Sequence, residues 1–230
     1  MTAYRSRLLT ALISATQDEW HSYTHHQFVE QLGDGTLPKD AFLHYLCQDY
    51  VFLIHFARAW AMAVVKSGRI SEMRIAAGTV HALIDEEMKL HIATCAEEGI
   101  SEEELTATTE SSANLAYTRF VMDMGLSGDL LDLLVALAPC VFGYGEIGER
   151  LVGQIDGQPK SQPYHDWIET YSGADYQNVC KTVGKLLDEV SSRTIGEDFV
   201  STARWPSLTQ TFSVACRLEA DFWQMGLDAR

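Results

Sequence analysis

The sequence predicts an all-α protein built as an up-and-down helical bundle. Apolar residues recur at three- and four-residue steps along nearly the whole chain, whereas no stretch alternates long enough to predict a half-buried strand. Short connections rich in glycine separate the periodic stretches and favour antiparallel neighbouring helices. The chain has 230 residues, 47% of them hydrophobic, and only 5 prolines. This length and composition predict a single domain, residues 1–230, with one sizeable core.

The N-terminal apolar stretch, residues 8–15, resembles the start of a secretory signal peptide. Thr10 and Ser14 interrupt it, and helical spacing continues beyond it, so we do not interpret it as a signal. The longest apolar segment, residues 130–142, contains an aspartate and a proline and is shorter than the roughly 18 residues that a membrane helix needs. We therefore expect a cytoplasmic protein with no membrane partner.

Two long helices are predicted in the first half of the chain. One covers residues 42–65, with Pro38 near its start, where proline is well tolerated. The other covers residues 71–97, with Leu83 and Ile84 on its buried side. Both have the apolar spacing of helices that pack one face against a core.

The second half of the chain begins with a helix-start signal. Ser101 and Glu104 match the capping-box spacing, in which each side chain satisfies a backbone N–H of the first turn. Glycine-containing breaks at Gly125, Gly157–Pro159 and Gly173 then divide the sequence. The remaining helices are predicted at residues 109–124, 128–155, 162–171, 174–192 and 205–227.

Charge and cysteine content narrow the possible partners and compartment. The chain has 17 Lys and Arg against 32 Asp and Glu, a formal net charge of −15. Such a surface repels nucleic-acid phosphates and anionic lipid, which leaves a small molecule or another protein as the expected partner. An odd number of scattered cysteines predicts no disulfide framework and a reducing cytosol. The five are Cys47, Cys95, Cys140, Cys180 and Cys216.

Cys140 is the first candidate functional residue. It directly follows Pro139, which removes one helical hydrogen bond and is costly inside a helix. Tyr144 lies one turn further on the same face, and Gly143 and Gly145 leave space around it. A thiol and a phenol next to the space that the glycines leave predict that this segment lines a pocket. The alternative is a buried structural thiol beside glycines that permit close helix packing.

Asp49 is the second candidate. Tyr45, Asp49, Phe52 and Phe56 share a helical face, which sets a carboxylate among aromatic rings on the inward side. A desolvated carboxylate needs a cation or hydrogen-bond donors. A protonated aminopyrimidine offers two parallel donors that match both carboxylate oxygens. The alternative is a structural pair with an arginine from another helix.

Glu219 is the third candidate. It shares a helical face with Cys216, Phe222 and Trp223, so it is another acid among bulky apolar groups. Burial there would raise its pKa and suit it to proton transfer. The alternative is a glutamate at the boundary between core and solvent.

Metal-ligating spacings are present but incomplete. Glu87 and His91 are four residues apart on one predicted helix, and Glu146 and Glu149 are three apart on another. Di-iron bundles require two Glu-x-x-His motifs, and the sequence has none. We therefore expect no metal or other cofactor, and we interpret Glu87 and His91 as a surface pair.

Six segments carry a family resemblance that covers essentially the whole chain. They are Phe42-x-x-Tyr45-Leu-x-Gln48-Asp49-Tyr50-x-Phe52-Leu with Phe56-Ala-Arg58, Glu87-Met-x-Leu-His91, Tyr117, Ala138-Pro-Cys140-x-x-x-Tyr144-x-x-Ile147-Gly148, Trp167-Ile-x-x-Tyr171 and Glu219-x-x-Phe222-Trp223. Taken together, in this order and spacing, they resemble the TenA family, also called thiaminase II. The resemblance implies the helical bundle fold shared with haem oxygenase.

The resemblance also implies an activity. It is the hydrolysis of 4-amino-5-aminomethyl-2-methylpyrimidine to the hydroxymethylpyrimidine and ammonia, with thiamine cleaved by the same chemistry, in thiamine salvage. The mechanism it implies needs no cofactor and proceeds through a covalent cysteine intermediate, and the family is usually tetrameric.

The residue roles follow from the matching positions. By resemblance Cys140 is the nucleophile, Glu219 the proton donor and acceptor, and Asp49 the pyrimidine anchor. Phe52 stands where family members often have tyrosine, so it can stack on the ring without a hydrogen bond. The remaining substrate-binding residues expected are Tyr45, Tyr117, Tyr144 and Tyr171.

Two other functions fit the same scaffold. One is a metal-dependent oxidase. The other is a non-catalytic regulator that keeps the pocket only to bind a pyrimidine.

Overall fold

Helices make up most of the chain that the computed structural model describes, residues 6–155 and 162–228. No strand occurs among these residues, so the all-α prediction is confirmed. The predicted break at Gly157–Pro159 lies outside the described residues. The α-helices are α1 (Arg7–Ala15), α2 (Gln17–Thr24), α3 (Gln27–Asp34), α4 (Lys39–Lys66), α5 (Ile70–Ala82), α6 (Met88–Glu97), α7 (Glu102–Thr106), α8 (Ser112–Ser127), α9 (Leu130–Ile155), α10 (His165–Ser172), α11 (Ala174–Ile195) and α12 (Trp205–Asp228).

The most apolar helix, α9, lies at the centre of the bundle. It packs against α8, α10, α11 and α12. It is long and apolar enough to cross a membrane, but 89% of its most apolar window is buried inside the protein. Its hydrophobic surface is therefore covered by the neighbouring helices, as in the core helix of a globular bundle.

Local signals set the helix ends largely as the sequence predicts. Pro38 occupies the N-cap of α4. The capping box before α7 is present, because the Ser101 hydroxyl accepts from the Glu104 N–H and Glu104 Oε2 accepts from the Ser101 N–H at 2.8 Å. These contacts satisfy backbone donors that the first helical turn leaves free.

The predicted helix over residues 71–97 is not continuous. A π-helical turn, Leu83–Glu87, separates α5 from α6. Leu83 is buried as predicted, but Ile84 is 49% exposed and the prediction for it is wrong. A π turn takes up about one residue more than an α turn, so the buried face shifts along the sequence at this point.

Candidate functional site

The structure brings the three candidate residues together in the bundle interior. Asp49 lies on α4, Cys140 on α9 and Glu219 on α12, and all three are buried. The charges of Glu219 and Asp49 act on the Cys140 thiol. The Tyr45 hydroxyl, 3.3 Å from Asp49 Oδ2, also lies 3.4 Å from the hydroxyl of Tyr144, which is one turn after Cys140 on α9. Convergence of residues 49, 140 and 219 is a property of the tertiary fold, since they are far apart in the sequence.

The environment of Cys140 disfavours ionisation of its thiol. Burial is the main cause that raises its pKa well above the ordinary value, and the negative charges of Glu219 and Asp49 raise the pKa further. Cys140 keeps 9% of its surface exposed, whereas its helix neighbours Ala138 and Phe142 keep 1% and 0%. Cys140 is therefore less completely buried than the residues two positions before and after it on α9.

The helix around Cys140 continues through Pro139 without opening. Side chains from neighbouring helices also bond to carbonyls near this proline: Tyr23 donates to the Pro139 carbonyl at 3.3 Å and Tyr176 to the Val141 carbonyl at 3.2 Å. Gly143 makes room for Tyr23, because a Cβ there would lie 2.1 Å from the Tyr23 ring. Close packing of α2 against α9 thus accounts for Gly143.

Glu219 has the environment predicted for a proton-transfer group. Burial raises its pKa to about 8, and the charge of Asp49 acts in the same direction. Tyr117 donates to Glu219 Oε1 at 2.8 Å, which favours the ionised form and holds the pKa lower than burial alone would. At neutral pH the carboxyl group is mostly protonated, with an ionised fraction available.

Asp49 is paired with His91, and no arginine within residues 6–155 and 162–228 is its partner. Its Oδ2 lies 2.7 Å from His91 Nε2, and the other ring nitrogen of His91 lies 3.0 Å from the Glu87 carbonyl oxygen. Burial alone would lower the pKa of His91, but the hydrogen bond and charge of Asp49, with the charge of Glu87, raise it to about 9. His91 is therefore an imidazolium that donates from both nitrogens.

The prediction that Glu87 and His91 form a surface pair is wrong. His91 is only 4% exposed. The Glu87 side chain accepts a hydrogen bond from Tyr171 at 2.9 Å, and burial is the main cause that raises its pKa. The spacing placed both residues on one helical face but did not reveal that this face, which adjoins the π turn, contacts α4 and α10. Such turns are frequent at functional sites.

The predicted aromatic residues surround these acids. The Tyr45 hydroxyl lies 3.3 Å from Asp49 Oδ2 and 3.4 Å from the Tyr144 hydroxyl. The rings of Tyr144 and Tyr171 are 4.9 Å apart. On the other side of the centre, the rings of Phe52 and Tyr117 are 5.0 Å apart. Trp167 and Trp223, which also pack here, were part of the sequence pattern but were given no role.

Two surface clefts approach this centre and meet at one hydrogen bond. The first, about 420 Å³, is lined by residues of α4, α6 and α10 that include His91 and Tyr171. The second, about 370 Å³, includes Glu87 and Val141. The Tyr171–Glu87 hydrogen bond joins the walls of the two clefts. Neither cleft is lined by the two acids and the thiol at residues 49, 219 and 140, which are buried.

The His, Cys, Asp and Glu side chains of the described residues do not form a metal centre. Within residues 6–155 and 162–228, no group of three or more His, Cys, Asp and Glu side chains is arranged to hold a metal ion. The buried acids instead have protein partners: His91 for Asp49, Tyr117 for Glu219 and Tyr171 for Glu87.

Comparisons with known proteins point to one family. The sequence model of the TENA/THI-4/PQQC family matches residues 13–229. An aminopyrimidine aminohydrolase of Halalkalibacterium halodurans is 33% identical over 220 residues, which are 96% of this chain and 95% of the relative.

Solved structures agree with the bundle fold. A protein of Silicibacter sp. TM1040, described as a TenA family transcription regulator, is 57% identical with a TM-score of 0.94, and the match covers 99% of this chain and 100% of that one. A domain from Shewanella denitrificans with a heme oxygenase-like fold has a TM-score of 0.55 at 14% identity, over 96% of this chain and 91% of that one. The predicted haem-oxygenase-like bundle is confirmed.

Proposed function

Since the chain belongs to the TENA/THI-4/PQQC family, we propose that it is an aminopyrimidine aminohydrolase of thiamine salvage. Its substrate is 4-amino-5-aminomethyl-2-methylpyrimidine, which it converts to the hydroxymethylpyrimidine and ammonia, with thiamine cleavage as a related activity. The observation that carries the proposal is the burial of one thiol and two acids around a single aromatic-lined centre. The curated aminohydrolase relative supports the same reaction class.

Asp49 anchors the pyrimidine, and its contacts within the protein determine which of its two oxygens is free to bind the ring. Both its hydrogen bonds, to His91 and to Tyr45, use Oδ2. A ring donor therefore binds Oδ1 directly, and a second donor on Oδ2 displaces the longer contact, at 3.3 Å, from Tyr45. His91 keeps its place because its charge compensates the buried carboxylate. His91 is thus a positioning residue.

Cys140 and Glu219 perform the bond changes. The ionised fraction of Glu219 takes the proton of the Cys140 thiol while the sulfur adds to the ring carbon next to the substituted one. Ring electrons move toward the methylene group and expel the amine, which receives the proton from Glu219 and leaves as ammonia. An exocyclic methylene remains on the sulfur-bound ring.

Water completes the reaction. It adds to the methylene carbon while Glu219 takes one of its protons, and the electrons returned to the ring expel the thiolate. Glu219 then returns a proton to Cys140, so the enzyme ends as it began. This use of Glu219 in both directions requires a pKa near the working pH, which its burial provides.

The aromatic residues control how the substrate enters and which rings are bound. Tyr171 and Glu87 join the walls between the surface clefts and the centre, so we place substrate entry at their contact. Phe52, packed on Tyr117, offers a ring face and no hydroxyl, which favours stacking over hydrogen bonding as the source of ring selectivity.

The setting of the enzyme is proposed on the family resemblance and on composition. We place it in the cytoplasm as a homotetramer of single-domain chains that acts without a cofactor. Its net charge of −15 argues against nucleic-acid and membrane partners.

A turnover assay tests the proposal against its alternatives. Purified protein is incubated with the aminomethylpyrimidine and, in parallel, with thiamine, and released ammonia and hydroxymethylpyrimidine are measured. Turnover of the aminomethylpyrimidine supports the hydrolase. Pyrimidine binding without any turnover would instead support the regulator, the description given to the 57% identical relative. Stoichiometric iron, with activity lost to chelators, would support the oxidase.

A further inference from the structure

The second surface cleft, about 370 Å³, is bordered by residues that pack against the proposed catalytic centre. On one side Phe56 lines the cleft, and its ring is stacked on that of Phe52 at 5.4 Å with an angle of 25° between the planes. Phe52 in turn packs on Tyr117, which donates a hydrogen bond to Glu219. The aromatic wall of the centre therefore continues into the wall of the cleft through two stacked rings.

The opposite wall of the cleft also contacts the centre. Glu87 lines the cleft, and its carboxyl group accepts a hydrogen bond from Tyr171 at 2.9 Å. The ring of Tyr171 lies 4.9 Å from that of Tyr144, which belongs to the centre. Tyr176, another lining residue, donates to the Val141 carbonyl of α9 at 3.2 Å. Contacts on both sides thus connect the cleft wall to the wall of the centre.

The cleft combines apolar surface with negative charge. The rings of Phe56 and Tyr176 and aliphatic side chains of α5 and α11 supply the apolar part. Glu87, Glu169 and Asp175 also line it, and no lysine, arginine or histidine from the described part of the chain does. Of these acids, Glu169 has a histidine partner 3.1 Å away. Aromatic walls and negative charge together favour an organic cation as the occupant.

The first cleft has a different charge balance. Its lining includes Lys39 and the imidazolium of His91 besides acidic side chains, and Lys39 forms an ion pair with Glu98. The acids of the first cleft are therefore partly neutralised by basic residues of the same lining. A cation gains more from the second cleft than from the first.

We propose that the second cleft is the subsite for the leaving group of the substrate, and that it selects pyrimidines whose methylene group carries a planar organic cation. The inference rests on the proposed pyrimidine hydrolysis. With the pyrimidine ring stacked on Phe52, the substituent on the methylene group extends past the Tyr171–Glu87 contact into the cleft. There Phe56 offers a ring face, and Glu87 and Asp175 supply negative charge.

The reaction changes the charge of such a leaving group. When the bond between methylene and nitrogen breaks, both its electrons stay on the nitrogen. A cationic ring therefore leaves as a neutral one and needs no proton from Glu219. The acidic cleft attracts the substrate more strongly than the released ring, which favours release of the product.

Calorimetric titration of Cys140→Ser tests the subsite without turnover. One ligand is the hydroxymethylpyrimidine, which fills the pyrimidine position alone, and the other is thiamine, which adds a thiazolium ring. We expect thiamine to bind about tenfold more tightly, the gain expected for one desolvated cation–aromatic contact. Equal affinities would overturn the subsite and leave the pyrimidine site in place, whereas binding of neither ligand would overturn the proposed function together with the subsite.

Further variants in the same Cys140→Ser background locate the thiazolium ring. Ala82→Phe adds a ring to the lining of the cleft, so the affinity ratio of thiamine to hydroxymethylpyrimidine should fall to near one. Ala77→Phe, at an exposed position of α5 outside that lining, is the control and should keep the ratio. A ratio as high in Ala82→Phe as in Ala77→Phe would overturn the placement of the ring.

A charge reversal tests the same placement without filling the cleft. Asp175 is exposed and lines the cleft, so Asp175→Lys should lower the affinity ratio about threefold by repelling the cation. This variant decides the matter if Ala82→Phe fails to fold. An unchanged or higher ratio in Asp175→Lys would contradict the selection of a cation by this cleft.

Discussion

At the scale of single residues, Glu219 makes the rate of the proposed reaction depend on pH. Because the ionised form accepts the thiol proton, kcat/KM should rise with pH as Glu219 loses its proton near pH 8 and fall as His91 loses its own near pH 9. Tyr117→Phe removes the hydrogen bond that favours the ionised form, so the rising limb should move to higher pH. Measurement of kcat/KM against pH checks this.

The matched control is Tyr50→Phe. Tyr50 lies on α4 and its hydroxyl is 3.5 Å from Thr106, away from Glu219. That variant should leave the rising limb in place. A limb that stays fixed in Tyr117→Phe, or moves to lower pH, would remove Glu219 as the group that titrates.

The anchor is tested by binding. In Asp49→Asn an acceptor becomes a donor and the negative charge is lost, so the affinity for the hydroxymethylpyrimidine should fall by about 10- to 100-fold, as expected for a hydrogen bond to a charged group. Isothermal calorimetry measures it, with circular dichroism to confirm folding. Asp40→Asn, an exposed position on the same helix, is the control. Equal affinities in the two variants would refute the anchor.

Sequence reasoning selected Cys140, Asp49 and Glu219 as candidates because each breaks a local expectation: a thiol after an intrahelical proline, or an acid on an apolar face. It missed the contact between His91 and Asp49. A four-residue spacing shows that Glu87 and His91 share a face but not whether that face points to solvent. The pairing of His91 with Asp49 depends on the packing of α6 against α4, which no local pattern encodes.

At the scale of helices, the site depends on close contact between α2 and α9. Gly143→Ala would place a Cβ 2.1 Å from the rigid ring of Tyr23 and should destabilise the protein by ~1–3 kcal/mol. Gly153→Ala is the control on the same helix, because a Cβ there meets nothing within 4 Å. It should stabilise the protein by ~0.5–1 kcal/mol. Urea denaturation measures both, and equal effects would contradict the role of the contact.

The long helices were predicted from periodicity because each packs one continuous apolar face against the core. The π turn at Leu83–Glu87 was not predicted, since a single extra residue in one turn barely alters the apolar spacing. The helical continuity of α9 through Pro139 also required the structure, because the sequence shows that a hydrogen bond is lost there but not whether the helix continues.

At the scale of the whole molecule, buried ionisable groups make stability depend on pH. Glu219 and His91 both have a higher pKa in the folded protein than in the unfolded chain. The contribution of Glu219 to stability is complete below about pH 4.5 and is lost as the pH rises to about 8. The contribution of His91 is complete below about pH 6.5 and is lost as the pH rises to about 9. The melting temperature should therefore fall between pH 6 and pH 9.

Glu219→Gln isolates one part of this dependence. The amide stays neutral at every pH, so the ~3–5 kcal/mol that Glu219 costs between about pH 4.5 and 8 should be absent. The variant should melt at a higher temperature than wild type at pH 8 and lose hydrolysis. Calorimetric scans at pH 5 and pH 8 measure the difference. A variant that melts lower than wild type at pH 8 would show that Glu219 is ionised and well solvated in the folded protein.

The central claim, that Cys140 attacks a pyrimidine held in this centre, is tested most directly by ammonia release from the aminomethylpyrimidine in Cys140→Ser and in Cys180→Ser. Cys180 is a buried thiol whose bond to the Val141 carbonyl a serine can keep. The account predicts that Cys180→Ser turns over like wild type and that Cys140→Ser folds, binds the pyrimidine and releases no ammonia above the uncatalysed rate. Ammonia release by Cys140→Ser at a rate near that of Cys180→Ser would contradict it.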